Sequence, residues 1–521
     1  MLSIGLLVLV VPGSGPGAAE LADHAPHLDG GELHLWWTIP FAGILLSIAL
    51  FPLLAPSFWH HHFGKISAAW AAAFLVPFAV AFGFPLALYE TLHTLLLEYF
   101  PFIILLMSLF TITGGLRVRT NLQGTPGFNT GLLGFGTFLA SWTGTTGAAM
   151  LLIRPLLRAN AWRRVRVHVV VFFIFLVANI GGSLTPLGDP PLFLGFLKGV
   201  DFFWPTRAMF LPMLVLALAL LVIFYGVDRV MMGREGPPPA AAQGEPAFRL
   251  EGTINLLLLV GVVLSVLMSG VWHPGISFDV YHVPNLLRDL LLLAIAGVSW
   301  WVTPAKTREA NESSWFPIVE VAKLFAGIFI TIIPAIAILR AGSAGALGPI
   351  IDAVNRDGEP VDAMYFWATG ILSSFLDNAP TYLVFFNTAG GNAEVLTGPL
   401  SSTLLAISAG AVFMRQHLHR QCAQLHGQGD RRGARRQDAE LLRLHGVVLR
   451  DPDAAVRRSH LAILHLAGRL RRSLSDARTG GRDTARAGAG SCCRGRSRGS
   501  GGGRSPPCRS AWRPTSPPRR R

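Results

Sequence analysis

The chain has 521 residues, 51% of them hydrophobic and only 14% charged, with a mean hydropathy of +0.47. Soluble domains carry about 25% charged residues, so the composition argues against an ordinary soluble enzyme; 35 Pro, 56 Gly and 33 Phe suit a membrane protein with interrupted helices. The formal charge of +14 would point to nucleic acid, but residues from Arg415 onward hold 25 Arg and 7 acidic residues, a net +18, leaving −4 for residues 1–414.

In chain order, Met1–Ala19 has a short apolar run (LLVLVV) followed by small residues, like a signal peptide without a basic n-region. Residues 1–33 therefore read as a leader with a short periplasmic lead, or as a disordered extension. Apolar runs of about 20 residues, enough to cross a bilayer, follow at 34–56, 67–89, 94–115, 167–200, 208–227, 253–271, 286–303, 319–340 and 399–414. Two further apolar stretches, 128–153 and 363–388, are interrupted by small and polar residues. The expected fold class is an all-α polytopic membrane protein built from inverted-topology repeats, with re-entrant hairpins and discontinuous helices. The expected divisions are scaffold helices and a first repeat over 34–227, a cytoplasmic linker over 228–252 and a truncated second repeat over 253–414.

Basic residues in short loops set the orientation. Lys65 follows the first span, Arg117 and Arg119 the third, and Arg154, Arg158, Arg163, Arg164 and Arg166 the first interrupted stretch. Both ends of that stretch are thus cytoplasmic, which makes it a re-entrant hairpin. The second interrupted stretch follows Asp352, Asp357, Glu359 and Asp362 and is flanked by periplasmic loops, the opposite sense. His60, His61 and His62 read as loop residues at a helix end, with a metal site as the lesser alternative.

The two hairpins carry Ser141-Trp142-Thr143-Gly144-Thr145-Thr146-Gly147 and Ser373-Ser374-Phe375-Leu376-Asp377-Asn378-Ala379-Pro380-Thr381. Hydroxyls, an amide and a carboxylate around Gly or Pro supply oxygen ligands and free backbone groups at membrane depth, tolerated only where protein or a cavity surrounds them. Residues Ala178–Pro191 (ANIGGSLTPLGDPP) hold three Gly and three Pro, so no continuous helix can form there. Two half-helices with an unwound middle would expose carbonyls and helix ends to an ion. Asp189 lies in that break, either serving an ion or proton or, at a membrane-surface loop, capping a helix. Glu98 and Glu320 stand near the starts of two spans and are possible proton carriers or plain interfacial acids.

The SWTGTTG and SSFLDNAP hairpins together with ANIGGSLTPLGDPP resemble the ion-transporter superfamily, over about residues 34–414. That superfamily includes NhaD-like sodium/proton antiporters, citrate and other di- or tricarboxylate carriers, and arsenite permeases; this chain is most similar to the bacterial sodium:proton antiporter or citrate-transporter-like group. The resemblance implies a scaffold part, a transport part of hairpins and broken helices, and often a homodimer. It also implies that Thr143, Thr145, Thr146, Asn179, Thr185, Asp189, Ser373, Ser374, Asp377 and Asn378 form the ion and substrate sites.

The expected function is secondary active transport across a bacterial inner membrane, without enzymatic activity or cofactor, with sodium ion and proton as transported or coupling ions. Sodium/proton antiport leads: Asp189 and Asp377 would exchange a hard cation for protons, with hydroxyl and carbonyl oxygens completing the shell. The alternative is a citrate or other carboxylate:cation symporter. The expected partners are the lipid bilayer and a small ion or carboxylate, not nucleic acid.

Residues 415–521 lack Lys, Asn, Phe, Tyr and Met. Such a composition reads as a disordered basic arm, but the codons for Arg415–Gly427, read from their second base, permit Ala-Asn-Thr-Tyr-Ile-Gly-Asn-Ala-Pro-Asn-Phe-Met. That string has the character of the second broken helix, which the repeat requires at this point. The tail is therefore expected to be an out-of-frame product, and an inactive frameshifted product is a third reading of the chain.

Overall fold

So apolar a body must satisfy its backbone within helices, and it does. The computed structural model describes residues 12–13, 28–235, 248–272, 277–278, 281–311, 314–356 and 358–414. These lie in a unit of residues 1–434, and a second unit, 435–521, falls outside the described residues. The Arg-rich tail and nearly all of the leader region fall outside them too. Seven helices among the described residues are long and apolar enough to cross a membrane, and a bent pair makes an eighth.

Helix α1 (Ile39–Leu54) is followed by α2 (Pro56–Phe82) and α3 (Phe84–Gly114). These boundaries correct the spans expected at 67–89 and 94–115. The break falls at Gly83, whose φ of 90° suits only glycine, and Pro85 starts the next helix. The gap expected between those two spans lies inside α3, where Glu90, His93 and Thr94 line a chamber. Glu98 is consequently not at a helix start: it sits mid-helix, in a π-turn spanning Leu95–Tyr99. The three histidines are likewise helical. His61 and His62 donate from Nδ1 to the carbonyls of Ser57 and Phe58 at 2.7 and 3.0 Å, and no cluster of metal-binding side chains occurs among the described residues.

The first hairpin is α4 (Pro126–Thr143) and α5 (Thr145–Ala159), joined at Gly144 with φ 77°. Next, α6 (Val167–Leu184) begins as an α-helix, loosens to a π-turn at Ile174–Asn179 and tightens to a 3-10 turn at Ile180–Leu184. The chain then runs unwound to Asp189 and re-enters helix as α7 (Pro190–Leu197). This is the broken helix expected from the three Gly and three Pro. A Cβ on Gly188 would stand 2.2 Å from the Gly182 carbonyl oxygen, so only glycine lets the segment fold back so tightly.

Helix α8 (Trp204–Met232) passes the expected linker start at residue 228. Asp228 is fully buried, accepting from Asn129 Nδ2 at 2.9 Å and His168 Nε2 at 2.8 Å and pairing with buried Arg163. The linker is further tied down by a two-stranded ladder of β1 (Arg117–Thr120) and β2 (Phe248–Glu251), where Glu251 meets Arg117 at 3.3 Å and Arg119 at 3.4 Å.

Helices α9 (Ile254–Val271) and α10 (Val283–Val302) pack together and α10 packs on α3. Their inner ends are closed by Arg308, which donates to the carbonyls of Thr111 and Ser299, each at 2.8 Å, over the face of Trp300. Burial pulls this guanidinium below its ordinary pKa. Then α11 (Phe316–Thr331) and α12 (Ile333–Arg340) form a pair bent by 42° at Ile332. The second hairpin is α13 (Asp362–Phe375) and α14 (Asn378–Thr388), of 14 and 11 residues. At 1.5 Å per residue these limbs are about 21 and 16 Å long, short of the roughly 30 Å hydrocarbon layer. Helix α15 (Ser401–Phe413) closes the described chain.

The cores follow this division. The largest cluster joins α1–α3, α7, α9–α12 and α14 around Phe102, Phe193, Phe325 and Phe329. A second gathers α4–α6 and α8 around Phe173, Leu176 and Phe224. A third packs α13–α15 around Tyr365, Tyr382 and Phe386.

Candidate functional site

The first hairpin tip is stitched to the break in α6–α7 by bonds that each use a group the turn leaves free. Ser141 Oγ donates to the Gly181 carbonyl at 2.5 Å, and Thr185 Oγ1 donates to the Ser141 carbonyl. The Thr145 amide, the first of α5, donates to the Gly188 carbonyl at 2.9 Å. These bonds satisfy buried backbone groups that would otherwise be stranded in an apolar interior, and they fix the break against the hairpin.

The second hairpin meets the same break from the other side. Asn378 is fully buried and its Nδ2 donates to Asp189 Oδ2 at 2.7 Å. Asp189 itself is 2% exposed and makes no side-chain cap to α7, although it stands at the N-cap position, so the surface-loop alternative fails. Asp377 is half-buried and caps α14 by accepting from the Ala379 amide at 3.3 Å. Between these groups lies a cavity of about 150 Å³ lined by Thr143, Thr145, Thr146, Asp189 and Asp377, with apolar walls from α3, α7 and α11. The N-termini of α5, α7 and α14 start at Thr145, Pro190 and Asn378, beside or on its wall.

Five of the ten expected site residues thus line one cavity, and Asn378 touches it through Asp189. The other four lie elsewhere. Thr185 is spent on Ser141, and buried Asn179 sits where the π-turn meets the 3-10 turn. Ser373 Oγ donates to the Ala411 carbonyl at 2.8 Å and Ser374 Oγ to that of Met414 at 2.7 Å, so both join α13 to α15. Glu320 is half-buried on α11 and lines neither this cavity nor the chamber described next.

Glu98 has a setting of its own. It is 8% exposed, forms an ion pair with Lys198 just past the end of α7, and lines a separate chamber of about 680 Å³. Sequence reading missed Lys198, a single cation within the span expected at 167–200. It equally missed the Asn129–Asp228–Arg163–His168 cluster, although a charge such as Asp228 next to a continuous apolar run is itself a signal.

Hairpins and a broken helix around a carboxylate-lined cavity, within a set of membrane-length helices, define a multi-pass membrane protein. Residues 30–417 match the model of a family described as "Putative citrate transport", and the chain belongs to that family. No curated protein matches the chain.

Proposed function

We propose that this protein is a secondary transporter of a bacterial inner membrane that moves a citrate-like carboxylate, driven by a cation held between Asp189 and Asp377. The observation that carries the reading is the convergence of two carboxylates and three helix N-termini on one cavity. Carboxylates and threonine hydroxyls are hard oxygen donors, suited to sodium ion or proton. Helix N-termini carry a positive partial charge and favour a substrate carboxylate. A cavity with both features binds an anion and a cation together better than either alone. Family membership supports the carboxylate as cargo.

Sodium/proton antiport is the second reading. It is favoured by the absence of Lys, Arg or His from the described cavity wall, which leaves two acids to exchange a cation for protons. Proteoliposomes separate the two. An inward sodium or proton gradient that accumulates labelled citrate supports symport; sodium-driven proton movement that ignores citrate supports antiport. Flux of neither would sink both.

A further inference from the structure

The chamber beside Glu98 is not part of the central cavity, yet one short helix links them: α7 begins next to Asp189 and ends next to Lys198. Its wall carries Asp29 from the segment before α1, Glu90, His93 and Glu98 from α3, Lys198 after α7, and Arg340 from the end of α12. Helix α11 also packs on the π-turn but adds no charged residue to that wall. The π-turn inserts an extra residue per turn and sets Glu98 on the face shared with His93 and Glu90; such turns recur at functional sites. Glu98 Oε1 takes the Lys198 ammonium, but Oε2 is buried with no hydrogen-bond partner. Were Lys198 drawn to another anion, Glu98 would be left as a buried carboxylate with no counter-ion, which is costly. Arg340 is exposed within the chamber, with Nε held by Asn387 Oδ1 at 3.1 Å.

The charges decide what enters. With Glu98 ionised and His93 neutral, three acids face two bases and the wall repels an anion. With Glu98 protonated the wall is balanced and the Lys198 ammonium needs a new partner. We propose that this chamber is an outer carboxylate site at which Lys198 exchanges Glu98 for a carboxylate of the substrate while Glu98 takes up a proton. Charge balances: one anion and one proton enter, and one ion pair replaces another. The idea rests on the carboxylate-transport reading and adds to it a place where anion and proton are taken up together.

Citrate titrated calorimetrically into the full-length chain in detergent, in buffers of different ionisation enthalpy, tests it without requiring transport. About one proton should be taken up per citrate, and the affinity should fall as the pH of the titration is raised. Glu98→Gln should bind citrate with no proton uptake and no pH dependence. Lys198→Gln should lose binding at least tenfold, while Lys198→Arg keeps both binding and uptake. His93→Gln should retain the uptake. Undiminished uptake in Glu98→Gln, full binding in Lys198→Gln, or no citrate binding at any pH overturns the proposal. Sodium-driven citrate flux without proton-linked binding sinks the chamber and spares the central site; the converse sinks the central site.

Discussion

At the scale of single residues, the contact that matters most is Asn378 Nδ2 to Asp189 Oδ2, because it ties the second hairpin to the break after the first. An amide there can donate to a carboxylate with no charge of its own, leaving the negative charge of Asp189 for a cation. Asp377 stands one residue away, and its Oδ1 already caps α14. Asn is as good an N-cap as Asp, so Asp377→Asn is expected to leave the midpoint of thermal unfolding within a few degrees of the parent. The same change removes the charge from the cavity wall and is expected to abolish cation-driven flux. Parental flux in the variant would assign Asp377 to capping alone.

At the scale of elements, the protein spends polar side chains to hold helix ends where sequence alone would leave them loose. Asp228 on α8 gathers Asn129 from α4, Arg163 after α5 and His168 from α6, so four segments share one buried anion. Arg163 and Asp228 side chains are 1% and 0% exposed. Breaking such a pair from one side leaves an uncompensated buried charge, at a cost of about 3–5 kcal/mol. Arg163→Met should therefore lower the unfolding temperature sharply, and adding Asp228→Asn should recover much of the loss. If the single variant melts like the parent, the pair contributes nothing to stability. The π-turn in α3 and the bend at Ile332 both contribute residues to the wall of the Glu98 chamber.

At the scale of the whole molecule, the loop charges predict a topology that labelling can check. All four native cysteines, Cys422, Cys492, Cys493 and Cys508, follow residue 414. In a background with these replaced by Ser, cysteines at Arg119 and exposed Arg164 should label from the cytoplasmic side. A cysteine at Gly358 should label from the other. Arg119 and Arg164 on opposite faces would make the first hairpin a crossing and end the inverted-repeat reading. The family match stops at residue 417, just past Met414, where the body gives way to the Arg-rich sequence. Each Arg placed at mid-helix costs about 2.5–3.5 kcal/mol in a bilayer, which is the ground for expecting the tail to be out of frame. Reading the gene one base later from codon 415 is expected to raise citrate or sodium flux in proteoliposomes above that of the chain as it stands. Equal flux from both versions would make the tail irrelevant and the frameshift reading wrong.

What the sequence determined by itself was whatever depends on local rules. Low charge and long apolar runs gave the all-helical membrane class: only helices and closed barrels satisfy a backbone in hydrocarbon, and continuous apolar runs of about 20 residues select helices. Gly and Pro density located the break before Asp189, because neither residue sustains a helix interior. Hairpin tips were legible from Gly144 and from the Asp377–Pro380 run for the same reason. Tertiary structure alone decided where polar side chains point. Ser373 and Ser374 look like site residues on a string of letters, but they lie on the face of α13 that packs against α15. The expected gap between the spans 67–89 and 94–115 is helix, and three of its polar or flanking residues, Glu90, His93 and Thr94, line a chamber of about 680 Å³. The Glu98–Lys198 pair lies 100 positions apart in the chain, and only the packing of α7 on the π-turn of α3 could bring the two together.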